Sequence, residues 1–210
     1  MEHNDANSEF RYLYSEIGHR FTELDSFLKH IHSFISEADE KIGPNLKLYS
    51  PDFFDFFYAA TYGETFRSSF IVSVTSVSET YIKSYITTWS NVLGLDISHI
   101  KHNNGILDYL KATVKKTFKI EIDCSKNEVN DFRNLLEVRN TMVHSGAYLN
   151  NTSKLDKIKQ LSKAYPSMQL RQDGAILTTE KFCIDSMEIS KRFFFYLFKL
   201  AIKKYPNYLS

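Results

Sequence analysis

Apolar residues recur along this chain at gaps of three and four, the spacing of one face of an α-helix. From Phe10 they fall at Leu13, Ile17, Phe21, Leu24, Phe27, Leu28, Ile31 and Ile35, while Glu16, Arg20, Glu23 and Lys29 take the opposite face. This predicts a long helix to about Glu40, broken by GPNLKLYSPD with its two prolines. A short aromatic segment, FFDFFYAATY, leads past Gly63 into a second long helix. Phe66, Phe70, Val74, Val77, Tyr81, Tyr85, Trp89 and Val92 mark that helix, which ends near Gly94. GLDISHIKHNNG reads as a loop, and ILDYLKATVKKTF as a third helix with lysines along its outer face.

Ser125 followed by Glu128 has the spelling of a capping box. The next helix is therefore expected from near Lys126 to Ser145, with Gly146 as its left-handed C-cap. After AYLNNTS a lysine-rich helical segment covers Lys154 to Ala164. In SMQLRQDGAILTT, the dipeptide Asp173-Gly174 between short apolar–polar runs signals a two-residue hairpin turn. A final helix, roughly Glu180 to Lys204, turns Phe182, Met187, Phe194, Leu197, Phe198 and Ala201 inward. No repeat, low-complexity stretch or linker divides the chain. The expectation is one all-α domain over residues 1–210, a bundle of long antiparallel helices with one small β-hairpin near the C-terminus.

Composition narrows the class. Hydrophobic residues make up 43% of the chain and charged residues 24%, the balance of a soluble globular protein. Seventeen Phe and thirteen Tyr against seven Gly and four Pro favour long helices joined by few loops. A formal net charge of +1 does not advertise a nucleic-acid binder, although a local patch could still be basic. Cys124 and Cys183 stand in no metal or redox spacing and read as reduced thiols of a cytoplasmic protein. MEHNDANSEF is polar and acidic, unlike a signal peptide. The longest apolar run, Phe193 to Phe198, is far short of the roughly 18 residues a membrane span needs.

The candidate chemistry lies in LEVRNTMVHSGAYL, residues 136–149. Phe132, Leu135, Leu136, Met142 and Val143 form one apolar face of its helix, and position 139 belongs to that face by spacing. Arg139 is therefore expected to be at least partly buried, or to lie at a seam between two helices or two subunits. A buried guanidinium needs partners for its five donors, and an anion is the usual one. Asn140 and His144, four apart, share a face. Arg139 and His144, five apart, diverge by about 140° around the axis. They converge on a ligand only across the helix end, or with groups from a second helix. A purely structural account also fits: Arg139 paired with Glu79 or another carboxylate, and His144 capping the helix.

RNTMVH late in a helix, after a long amphipathic helix containing SVSETYI, resembles the HEPN superfamily. The hallmark of that superfamily is an arginine, a polar residue and, several residues on, a histidine, late in one helix of a bundle. The resemblance is to prokaryotic HEPN proteins grouped with toxin and defence ribonucleases, and RQDGAILTTEKF resembles the segment after the motif in some of them. In order of elements it covers residues 60 to 200. It implies a metal-independent endoribonuclease without cofactors, acting in toxin–antitoxin or antiphage defence, with its site where two protomers join their motif helices. His144 would then be the general base or acid at the ribose 2′-OH or the leaving 5′-oxygen. Arg139 would bind the scissile phosphate, and Asn140 would orient the histidine or the phosphate. Glu79 is a supporting candidate for positioning Arg139. Tyr148 is another, although some HEPN toxins carry a tyrosine two residues after the histidine, and here Ser145, Gly146 and Ala147 intervene. The implied partners are an RNA substrate, a second copy, and a cognate antitoxin or other defence partner, with no membrane. The alternative is a non-catalytic HEPN-like module that binds RNA, nucleotide or a partner protein.

Two further groups draw attention. Asp96, His99 and His102 lie within DISHIKH but lack a fourth ligand or cysteine spacing. Lys111, Lys115, Lys116 and Lys119 could track an RNA backbone or simply form a solvated helix face.

Overall fold

The computed structural model describes residues 3–47, 63–100, 105–145, 152–170 and 176–206. Among them the fold is all-α apart from one small hairpin. The elements are α1 (His3–Lys47), α2 (Gly63–Leu93), α3 (Ile106–Lys116), α4 (Asn127–Ser145), α5 (Thr152–Ala164), β1 (Met168–Leu170), β2 (Ile176–Thr178) and α6 (Glu180–Lys204). No helix of the described residues is long and apolar enough to cross a membrane. The chain divides into two compact units: Met1–Phe21 with Thr75–Arg133 and Ile189–Ser210, and Thr22–Val74 with Asn134–Glu188. Helices α1, α2, α4 and α6 contribute residues to both.

The first unit is built on rings. Trp89 is wholly buried, with ring centroids 4.6 Å from Phe10 and 5.3 Å from Tyr205. Tyr85 lies 5.5 Å from Phe198 and donates its hydroxyl to the Leu197 carbonyl at 3.0 Å. Burial drives the Tyr85 phenol well above its ordinary range. Phe132 of α4 stacks on Phe193 of α6 at 4.1 Å, nearly parallel. These rings supply apolar area that smaller side chains cannot match. Helix α2 ends as expected at Gly94, whose φ of 62° needs no Cβ to be tolerated. After α3 the chain turns through Lys119, whose φ is 53°, and burial then alternates, with Phe118, Ile120 and Ile122 buried and Lys119 and Glu121 exposed.

The second unit is held by short polar links around the hairpin. The Thr179 hydroxyl caps α6 by accepting from the Phe182 amide at 3.1 Å, and it donates to the Ser167 carbonyl. Ser167 donates to Asp185 at 2.6 Å. Arg67 Nε donates to the Thr178 carbonyl, fastening β2 to α2. The Cys183 thiol, buried in α6, donates to the Arg67 carbonyl at 3.8 Å, and burial pushes its pKa up to about 12.

Two expectations need correction. Helix α1 continues to Lys47 rather than stopping near Glu40. Pro44 falls in its last turn, where the missing N–H removes a single ladder bond at a helix end. The Ser125 capping box does not form. Helix α4 starts at Asn127, and the Ser125 amide and hydroxyl both donate to the Asp123 carboxylate, at 2.8 and 2.6 Å. Those bonds, the hydroxyl's first, hold the Asp123 carboxyl below its usual range. The expected hairpin is present and pairs Met168 with Thr178, Gln169 with Leu177 and Leu170 with Ile176. Met168, Ile176 and Thr178 are all buried, and this register puts them on one face. The Asp173-Gly174 dipeptide, the aromatic segment before Gly63 and the Gly146 cap lie outside the described residues.

Candidate functional site

Helix α4 carries the candidate motif on its final turns. It buries Val129, Phe132, Leu135, Val138 and Met142, at gaps of three and four. Phe132, Arg139 and Val143 lie on nearly one line along the helix, each within about 40° of the next. Phe132 is wholly buried, Arg139 is half-buried and Val143 is 51% exposed. The apolar face expected to include Val143 therefore reaches solvent there. Arg139 stands at the transition, where its stem can stay covered while its head reaches polar partners. Leu136, also assigned to that face, is only half-buried.

The guanidinium is anchored locally. Arg139 Nη1 donates to the Asn140 side-chain oxygen at 3.0 Å. That bond turns the Asn140 amide nitrogen, with its two N–H donors, away from the arginine. Asn140 and His144 are both exposed, one turn apart. His144 is the penultimate residue of α4. Among the described residues no hydrogen bond joins His144 to Arg139 or Asn140. Between Asn140 and Met142, Thr141 is buried and returns its hydroxyl to the Glu137 carbonyl at 2.9 Å, so it is internally satisfied. Lys157 of α5 reaches the Glu137 carboxylate at 3.1 Å, tying α5 to this part of α4. The arrangement offers a guanidinium, an amide and an imidazole along an exposed helix end. Such donors suit an anionic oxygen-rich ligand.

The structure joins Arg139 directly to Asn140. Glu79 is half-buried on α2 and belongs to the first unit, whereas Arg139, Asn140 and His144 belong to the second. Tyr148 lies outside the described residues.

The remaining candidates find local partners. Asp96 accepts from the Ser98 amide at 2.8 Å and the Ser98 hydroxyl at 3.0 Å, a side-chain turn that lowers its pKa. His99 is exposed and His102 lies outside the described residues. Among the described residues no group of three or more His, Cys, Asp or Glu is placed to hold a metal. Lys111 sits 3.5 Å from Asp108 and Lys115 3.2 Å from Glu121, while Lys119 donates to the Lys116 carbonyl at 2.7 Å. Much of that basic face is thus engaged within the chain.

One pairing escaped the sequence pattern. His32 Nδ1 of α1 lies 3.6 Å from Glu180 at the start of α6, in the second unit. Its Nε2 is buried with no hydrogen-bond partner among the described residues. Only the tertiary approach of two helices reveals it. No protein-family model, no curated protein and no solved structure matches the chain.

Proposed function

We propose that this protein is a metal-independent endoribonuclease of the HEPN type, acting as a homodimer in toxin–antitoxin or antiphage defence. The observation that carries the reading is the half-buried Arg139 guanidinium, bonded to Asn140, with an exposed His144 beyond it at the end of α4. A hydrolase that needs no metal must supply its own cation for the phosphate and its own proton carrier, and these two side chains are of those types. In the reaction the ribose 2′-oxygen attacks phosphorus as a histidine takes its proton. The bond to the 5′-oxygen then breaks and that oxygen receives a proton, leaving a 2′,3′-cyclic phosphate and a 5′-hydroxyl. Arg139 stabilises the charge that builds on the phosphoryl oxygens. Asn140 holds the guanidinium in place, a role its hydrogen bond supports better than orientation of the histidine. A second copy, bringing its own α4, supplies the convergence that an angle of about 140° denies to one helix. RNA is the substrate class, and a cognate antitoxin or defence partner is the expected regulator.

Purified wild type is expected to cleave RNA in EDTA, and His144→Ala to lose roughly 100-fold or more of that rate while staying folded. Arg139→Ala should lose cleavage and also bind RNA more weakly. RNA carrying a 2′-deoxy sugar at the scissile position should resist. Unchanged cleavage by His144→Ala, or loss in EDTA with rescue by magnesium, would overturn the reading.

A further inference from the structure

In the first unit, α1 and α6 present aromatic rings that the chain does not cover. Tyr14 is 51% exposed and Phe195 is 59% exposed. Both line each of two adjoining concavities, of about 450 and 380 Å³, which therefore form one groove. Its lining runs from Phe10 to Phe21 on α1, and from Ile202 back to Lys191 on α6. Eleven residue steps at about 1.5 Å each give a groove about 16 Å long, the length of three helical turns.

Charge narrows the occupant. Arg11 and Lys199 line one end and Lys191 and Arg192 the other, and Glu128 is the single carboxylate in the lining. Asp131 offsets Arg192 at 3.1 Å, and the balance stays positive. A second copy docked about a two-fold axis would set these cations against their own counterparts. Single-stranded RNA would satisfy them, but Ile17, Phe21, Phe194 and Ile202 make concave aliphatic and aromatic walls better suited to apolar side chains than to stacked bases.

Gly18 is an independent mark. It lines the groove in the interior of α1, where glycine is less favourable than alanine. A Cβ built on it meets nothing within 4 Å, so no described neighbour requires its absence. A foreign backbone laid close along α1 would.

We propose that this groove docks an acidic amphipathic helix of a partner protein. Leu- or Phe-type anchors, three or four residues apart, enter the two concavities. Carboxylates on the flanks of that helix meet Arg11, Lys191 and Lys199, and Gly18 sets the close approach. The docking stands apart from the ribonuclease reading, because its assay needs no cleavage.

The test uses the full chain and a fluorescein-labelled helical peptide of about three turns, with leucines along one face and glutamates on both flanks. A lysine-flanked version serves as control. Anisotropy should show binding of the acidic peptide that weakens with salt. Gly18→Leu, whose side chain enters the groove, should weaken it roughly tenfold or more, while Gly18→Ala raises the thermal midpoint. The pair Arg11→Glu and Lys199→Glu should reverse the preference between the peptides, and it carries the test if circular dichroism shows Gly18→Leu unfolded. An acidic peptide that binds no better than the lysine-flanked one overturns the proposal. So does a dimer that Gly18→Leu converts to monomer in sedimentation, which makes the occupant a second copy. Loss of oligouridine binding in Gly18→Leu, with no peptide binding by wild type, likewise overturns it in favour of RNA.

Discussion

The two compact units differ in how many aromatic rings they bury. The first buries Tyr85, Trp89, Phe118, Phe132, Phe193 and Phe194 almost completely, and its rings touch one another in chains. The second buries fewer rings, and Thr141, Thr178, Cys183 and Ser186 are among its buried side chains. Its order rests on hydroxyls and one arginine bonded to backbone around the hairpin. Ring packing gains from area and tolerates no voids. Hydroxyl-to-backbone links each contribute only about 1 kcal/mol, but they fix directions. The candidate chemistry, Arg139 with Asn140 and His144, belongs to the second, ring-poor unit.

The contrast can be broken most forcefully at its two extremes. Trp89→Ala should cost about 3–5 kcal/mol in urea denaturation, whereas His144→Ala should change stability by less than about 0.5 kcal/mol. Comparable losses would erase the distinction.

Alkaline titration tests a buried thiol of the second unit next. Cys183 has its thiol pKa raised from 9.0 to about 12 by burial, with Arg67 lowering it and Glu180 raising it to lesser extents. Between those values the unfolded chain has lost the proton and the folded chain retains it, so stability falls as pH rises through that window. Its contribution is fully present below the lower value and lost by the upper. Urea midpoints of wild type should drop across this range, and Cys183→Ala should lessen the drop while the raised Tyr85 phenol keeps a remainder at the upper end. A thiol reagent at neutral pH should label exposed Cys124 and spare Cys183 until the chain opens.

Smaller effects sharpen the picture. Thr179→Ala removes the α6 cap and its bond to Ser167, and should cost about 1 kcal/mol by thermal unfolding. Ser190 has a buried hydroxyl with no hydrogen-bond partner among the described residues. Ser190→Ala should therefore stabilise the protein slightly, by up to about 1 kcal/mol. A clear loss there would reveal a partner for the hydroxyl.

The legible part of the fold came from periodicity. The span and inward residues of α6 match the spacing argument, because twenty-five residues average out local irregularities. Arg139 is half-buried where a seven-residue step from Phe132 puts it. The failures occur where a short signal competes with a neighbour. Ser125 had the right spelling for a cap, but the Asp123 carboxylate two residues earlier captured both its donors. Val143 had the right angle for the apolar face, yet angle says nothing about whether cover extends that far along a helix. The His32–Glu180 approach and the groove beside Gly18 depend on which helices meet, which one-dimensional spacing does not encode.

The irregular stretch after α3 bears on how the molecule exchanges hydrogen with solvent. Phe118, Ile120 and Ile122 are buried as firmly as residues of a sheet, yet no strand pairs with them among the described residues. The Ile120 amide is bonded to the Val114 carbonyl at 2.9 Å and the Asp123 amide to the Tyr196 hydroxyl at 3.0 Å. No such bond reaches the amides of exposed Lys119 and Glu121 among the described residues. Deuterium should therefore enter this segment unevenly, fast at Lys119 and Glu121 and slowly at Ile120 and Asp123. A stretch that is anchored through its side chains can stay in place while half of its backbone remains open to water.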